Sequence, residues 1–294
     1  LASLSLGRFG YRRLVAADSV EAGAGTLLYG LEVQRNDGPW QIPEGARKLN
    51  AMLRFSQGTA DDGFSVTAMA YRNRWRATDQ IPQRAVDAGA LGRFDSLDAS
   101  DGGRTSRASL SYALRKRTGA ALYEFDAYAV QSSLDLVSNF TYLLDDPVNG
   151  DQFQQSERRR LAGLNASRSW VGEAGGYALR HKIGVQARYD RLAPVGLYRT
   201  AQAARIGTVR EDRVRQASVG LYGESVVELN PRWRVVGGAR ADAYRFDVAN
   251  VEGGSSGKAH DQLVSPKLSL IYAPAAHTEV FLNYGKGFHS NDGR

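Results

Sequence analysis

The residues best suited to metal binding or proton transfer are the four histidines, His181, His260, His277 and His289, and they stand on different predicted elements. No two of them have the short spacing that a shared metal ion needs, so exposed or interfacial histidine is the default reading for each. His289 has Ser290 and Asp292 beside it, but neighbours on one strand do not converge on a single reacting atom as a hydrolytic triad must. Gly23-Ala24-Gly25-Thr26 faintly resembles a phosphate loop, yet it lacks the following lysine and helix and reads as a turn. Asn139-Phe140-Thr141 and Asn165-Ala166-Ser167 fit a glycosylation pattern that is common by chance. The chain contains no cysteine, which excludes disulfides, thiolate metal sites and thiol nucleophiles. The expectation is a chain that is not an enzyme, with no catalytic residues, no metal site and no cofactor.

Other residues suit recognition without covalent chemistry. Three long polar stretches carry arginines and aromatics whose planar side chains could grip a planar, anionic ligand. The stretch 77–103 holds Arg84, Arg93 and Phe94, 135–155 holds Phe140, Tyr142 and Phe153, and 191–212 holds Tyr198, Arg199 and Arg205. Two of the three are also rich in aspartate, so a simple positive funnel is not supported. A separate charged set alternates with apolar residues. It comprises Arg54, Arg107, Arg115, Arg180, Lys182, Arg188, Arg234, Arg240 and Lys267, interspersed with Glu124, Asp126, Asp190, Glu224, Glu228, Asp242 and Glu279.

That alternation identifies the elements that must position these residues. Period two puts one residue set on each face of a strand, and it recurs about a dozen times. Leu27, Tyr29, Leu31 and Val33 oppose Gly30, Glu32 and Gln34, and Leu49, Ala51, Leu53 and Phe55 oppose Lys48, Asn50, Arg54 and Ser56. The links between segments alternate as well. Short ones fall near 57–62, 118–119, 172–176, 230–231 and 273–277, and long ones near 36–45, 77–103, 135–155, 191–212 and 248–261. A membrane-crossing antiparallel meander needs short turns at one end and long loops at the other. Many segments run past ten residues, enough for the roughly nine to eleven that a tilted strand uses to cross a bilayer. Trp170, Tyr177, Trp233, Tyr123 and Tyr272 lie beside the short links, where an aromatic girdle belongs.

Bulk properties agree with this. The 294 residues are 43% hydrophobic with a formal net charge of +7, but no basic run concentrates that charge, and nucleic acid is not an expected partner. Mean hydropathy is −0.39. In a transmembrane barrel, lipid-facing and lumen-facing residues average out, so a low value is compatible with a membrane wall.

Ser265-Pro266-Lys267-Leu268-Ser269-Leu270-Ile271-Tyr272-Ala273-Pro274, followed by Thr278-Glu279-Val280-Phe281-Leu282-Asn283-Tyr284-Gly285-Lys286-Gly287-Phe288, resembles a hairpin of the TonB-dependent outer-membrane receptors. His289-Ser290-Asn291-Asp292, the run 28–40 and the run 93–98 are similar to other segments of the same family. The resemblance implies an all-β, transmembrane, antiparallel up-and-down barrel, with about 12 of about 22 strands present in a single domain over 1–294. It implies that the plug domain and the C-terminal closing strands lie outside the sequence, which is then an internal stretch of the barrel; a closed barrel of about a dozen strands is the other geometric option. It further implies energy-coupled uptake of a scarce small-molecule nutrient, with a ferric siderophore or other metal chelate first. The partners would be a TonB-type energy-coupling protein reached through the plug and the outer-membrane lipid. A passive porin-like or structural barrel and a soluble all-β binding protein are the rival readings.

Overall fold

A computed structural model of the chain describes residues 1–77 and 79–287; Phe288, His289, Ser290, Asn291 and Asp292 lie outside the described residues. Thirteen strands follow one another as β1 (Ala2–Leu6), β2 (Arg12–Ala22), β3 (Gly25–Asn36), β4 (Ala46–Gly58), β5 (Gly63–Arg76), β6 (Gly102–Thr118) and β7 (Ala121–Ser138), then β8 (Phe153–Ala174), β9 (Tyr177–Ala201), β10 (Ala204–Asn230), β11 (Trp233–Asn250), β12 (Gly257–Ala275) and β13 (Thr278–Gly285). Each pairs antiparallel with its neighbours in sequence order, giving one up-and-down sheet. The sheet has one strand more than the dozen expected, because the short segment β1 also pairs. It is not closed: among the described residues β1 and β13 do not pair with each other. Among the described residues no helix is long and apolar enough to cross a membrane.

The two faces differ as the alternation requires. On one face, side chains from strands two apart meet along the middle of the sheet. Lys182 Nζ on β9 lies 2.6 Å from Glu124 Oε2 on β7, and Lys267 Nζ on β12 lies 2.8 Å from Glu224 Oε2 on β10. Arg240 Nη1 on β11 donates to Gln186 Oε1 on β9 at 2.6 Å, and Tyr222 Oη on β10 to Asn165 Oδ1 on β8 at 3.2 Å. Adjacent strands stand about 4.8 Å apart, so these contacts span roughly twice that and mark the concave face. Near the other end of the sheet, Glu32 accepts from Arg13 Nε and Asn50 Nδ2, each at 2.6 Å.

The convex face carries Leu31, Val33, Leu49, Leu53, Leu110, Ile183, Val219 and Leu221, all exposed with no second layer over them. An apolar surface this extensive is incompatible with water and suits hydrocarbon. Near the short turns it bears a run of rings. Phe55, Phe64, Tyr112 and Phe125 are linked at centroid distances of 5.9, 6.2 and 6.2 Å, Trp170 lies 5.2 Å from His181, and Trp233 stacks on Tyr272 at 4.4 Å. This is the expected girdle, with Phe residues in it as well as the Trp and Tyr residues read from the sequence.

One expectation is overturned. The stretch 191–212, read as a long loop, is the continuation of β9 and β10 to a turn at Gln202-Ala203, where φ is +50° and +62°. Positive φ at both central residues suits a tight hairpin turn whose twist matches the strands. Tyr198, Arg199 and Arg205 are therefore strand residues, and so is Phe153, read as part of the 135–155 loop but the first residue of β8. The alternation is lost there because the register shifts between Arg205 and Gly207, Thr208 and Arg210, and Asp212 and Val214, and each extra residue flips the pattern to the other face. With 25 and 27 residues, these strands are more than twice as long as a bilayer crossing needs, so the hairpin projects well past the membrane on the long-loop side.

Candidate functional site

The long connections 37–45, 77–101 and 139–152 and the projecting β9–β10 hairpin meet at one end of the sheet. Gln152 joins three of them. Its Nε2 donates to Asp98 Oδ2 at 2.8 Å, Ser100 Oγ at 2.8 Å and Asp101 Oδ1 at 2.9 Å, while its Oε1 accepts from the Ala203 N–H of the hairpin turn at 2.8 Å. The side chain is 2% exposed. The 37–45 connection is tied on by Gln41 N–H to the Phe94 carbonyl at 3.1 Å and by Trp40 against the Phe94 ring at 6.0 Å. Asn139 N–H donates to Asp79 Oδ2 at 3.0 Å.

The platform is cut locally by carboxylates capping free backbone donors, as aspartate does in turns. Asp151 accepts from the N–H groups of Leu144, Asp145 and Asp146, and Asp146 from those of Val148 and Asn149. Both carboxyls are held below the usual carboxylate range. For Asp146 the cause is donation from Asn149 and Val148; for Asp151 some burial acts the other way and is outweighed by its N–H donors. Asp101 behaves oppositely. Burial, with Asp98 and Asp79 beside it, pushes its carboxyl up to about 7 although Gln152 donates to it. Burial and the same carboxylates Asp79 and Asp101 also raise Tyr142.

Between 77–101 and 139–152 lies an open groove of about 630 Å³, lined by Ile81, Pro82, Arg84, Leu97, Phe140, Tyr142 and Leu144 among others. Its size suits a small-molecule ligand and its wall is mostly apolar. The structure thus brings together Arg84, Phe140 and Tyr142, and Phe153 supports them edge-on to Phe140 at 5.4 Å. Arg93 and Phe94 are exposed at a separate place, by Trp40. Arg199 is exposed on β9, in register with Phe153. Tyr198 and Arg205 are already engaged. The guanidinium sits 3.6 Å over the ring, Tyr198 Oη donates to Glu211 at 2.6 Å, Arg205 Nε donates to Gln154 at 2.6 Å, and Tyr198 is only 2% exposed. Gly196 fits beneath this pair, since a Cβ there would collide with the Tyr198 ring.

The connections at this end, 7–11, 37–45, 77–101, 139–152, 202–203 and 251–256, hold eleven carboxylates against three arginines, a balance of −8 in a chain of +7. Among the described residues no group of three or more His, Asp or Glu is arranged to hold a metal ion. What the site offers is non-covalent: an apolar, aromatic groove with one arginine, in an acidic rim above a polar concave wall.

Residues 29–293 match the family described as TonB dependent receptor-like, beta-barrel. The chain belongs to this family. TonB-dependent receptors are outer-membrane transporters and not enzymes, and the solved structures with the same fold are of that kind. The ferric citrate transporter FecA in its unliganded form aligns with a TM-score of 0.74 at 14% identity, over 96% of this chain and 42% of that one. The siderophore receptor PiuA from Acinetobacter baumannii gives 0.77 at 10% identity, over 97% and 48%, and the copper transporter OprC gives 0.66 at 16%, over 97% and 44%. At these identities the fold is what is shared, and the chain spans less than half the length of each. No curated protein sequence matches the chain.

The residues that organise this platform, Gln152 with Asp79, Asp98 and Asp101, were not singled out from the sequence. The signal was the aspartate density of the two loops, which weighed against a positive funnel without revealing that these carboxylates hold the loops together.

Proposed function

We propose that the chain is barrel wall of a TonB-dependent receptor in a bacterial outer membrane, importing a ferric siderophore or other metal chelate by energy-coupled transport. The observation that carries this is the groove formed by Arg84, Phe140 and Tyr142 at the long-loop end of a sheet whose convex face is apolar and whose concave face is polar. In this reading the loops capture the chelate outside, and the concave ion pairs hydrate the lumen and hold a plug. A TonB-type protein pulls on that plug, and the convex face meets outer-membrane lipid. Recognition needs no bond-making: aromatic faces and a guanidinium suit a planar chelate. Of the nine residues expected to bind, Arg84, Phe140 and Tyr142 are retained as contacts, Phe153 as their support, Arg93 and Phe94 as a second exposed pair beside Trp40, and Arg199 as an exposed contact on β9 in register with Phe153. Tyr198 and Arg205 are assigned to shaping the hairpin. The test is growth of a receptor deletion on single iron or other metal chelates under limitation of that metal. Loss of growth on one chelate, restored by the full-length gene, supports the proposal, and unimpaired growth and uptake with every chelate overturns it.

A further inference from the structure

The concave face carries an apolar recess that neither the groove nor the ion pairs use. Ala17, Gly30, Met52, Met69 and Ser109 are directly opposed in register across β2, β3, β4, β5 and β6, so they form one cross-strand row. Its face is fixed by Glu32 and Asn50, which lie two residues from Gly30 and Met52 and hydrogen-bond to each other on the concave side. The small residues Ala17 and Gly30 leave space beside the methionines. A recess of about 540 Å³ opens there, with Val15 as a further wall.

Met52 and Met69 are the only methionines among the 294 residues, and they are partners in the β4–β5 ladder. Directly opposed residues hold their Cβ atoms about 5 Å apart. A thioether on an unbranched, freely rotating stem can then meet its partner over one point in the recess. Methionine ordinarily fills gaps in apolar cores, but Met69 is 51% exposed on a polar face and fills none.

Donor chemistry selects the ligand. The chain has no cysteine, and the described histidines, His181, His260 and His277, stand outside β2–β6. Glu32, the one carboxylate lining the recess, is already taken by Arg13, Lys48 and Asn50. Two thioethers without a free carboxylate or imidazole suit a soft cation such as copper(I) or silver(I), and offer nothing to magnesium or calcium. Charge sharpens the choice. Arg107 lines the recess and Arg54 stands two residues from Met52, and among the described residues neither forms an ion pair. Unpaired guanidiniums repel a cation held by charge alone. They favour a soft metal ion that brings an anionic co-ligand with it.

Met52 is three residues above Phe55 of the girdle on β4. At about 3.3 Å per residue and a tilt of about 40°, the pair stands roughly 8 Å above the girdle, deep in the wall and well below the loop platform.

We propose that Met52 and Met69 form a binding site for a soft monovalent metal ion of the copper(I) class on the lumen wall, separate from the loop-end groove. This rests on the reading of the concave face as the lumen of a transport barrel. The site holds the metal ion, bare or with an anionic co-ligand, between the loops and the turn end.

The experiment uses the full-length receptor in detergent micelles, labelled with carbon-13 at the methionine methyl groups and titrated with silver nitrate in chloride-free buffer. Silver(I) is the probe because it needs no reductant. The methyl signals of Met52 and Met69, assigned with Met52→Leu and Met69→Leu, should move together with one shared apparent affinity. In Met69→Leu the remaining Met52 signal should need at least tenfold more silver. Silver should raise the thermal midpoint of the wild type more than that of Met52→Leu/Met69→Leu, a change that nearly conserves volume. Zinc, calcium and magnesium should move neither signal. Signals that stay still or move at different silver concentrations, an unchanged Met52 response in Met69→Leu, or the same shifts with zinc overturn the site. Should the double variant not fold, the wild-type and single-variant titrations still decide. Unmoved signals in a receptor whose deletion abolishes uptake of a chelate sink this inference alone, whereas silver binding in a receptor whose deletion changes no uptake sinks the transport reading and leaves the site standing.

Discussion

Gln152 Nε2 donates to Asp101 Oδ1 at 2.9 Å, joining positions 51 residues apart, and both side chains are 2% exposed. Through this contact the connection 77–101 is fastened to 139–152, and through Gln152 Oε1 both are fastened to the β9–β10 turn.

Gln152→Ala should therefore release the platform without unfolding the barrel. Leaving Asp101 buried without its donor costs about 1–3 kcal/mol, and that loss falls on the loops. Hydrogen exchange should accelerate across 79–101 and 140–151, while the strands β7 and β8 keep their protection. Unchanged exchange in both loops would show that Gln152 is not the fastening.

The same cluster makes the platform sensitive to pH. Asp101 titrates near 7 in the folded chain against 3.8 ordinarily, so the folded state holds a proton that the unfolded one has lost. The resulting stability is fully present below about 3.8 and disappears as pH rises through about 7. Loop opening should thus be easier at pH 8 than at pH 5.5 in the wild type, with much of that difference absent in Asp101→Asn. Asp146 and Asp151, both held low, act in the opposite direction and only in strong acid. Proteolytic nicking of 77–101, compared between wild type and variant at each pH, measures it.

Phe140 and Tyr198 should separate binding from architecture. Phe140 is 58% exposed at the groove, so Phe140→Ala should weaken chelate binding about tenfold, an ordinary cost for losing an aromatic anchor, and leave the melting temperature almost unmoved. Tyr198→Phe removes the hydrogen bond to Glu211. It should cost about 1 kcal/mol of stability and leave affinity within twofold. Calorimetric titration and thermal melts on both variants would reveal a reversal of these roles.

The acidic rim should select against highly charged anions. Asp145→Lys/Glu252→Lys, at two exposed rim positions, should speed association of a trianionic ferric chelate by tenfold or more at low salt, with the gain shrinking as salt rises, because steering by exposed charge is screened. A neutral ferric chelate should bind the variant and wild type at similar rates. Stopped-flow association at two ionic strengths tests it, and equal rates for the trianion in both proteins would remove the rim from any role in selection.

Fold class was legible in the sequence because period-two alternation is a local property. Leu31 and Val33 face one way, and Glu32 and Gln34 the other, whatever their neighbours do, and the length of the repeats and the spacing of the links then require a membrane meander. The groove residues Arg84, Phe140 and Tyr142 were legible as types on long polar connections. What only the tertiary structure decided is where pattern gives way to packing. In 191–212 three register shifts erase the alternation, yet pairing between strands keeps both extended, so Tyr198 and Arg205 left the list of free loop residues. The partners of Gln152 and the opposition of Met52 and Met69 depend on register, which places residues distant in sequence side by side. Period two determines which face a residue takes, but only the pairing of strands determines what stands next to it.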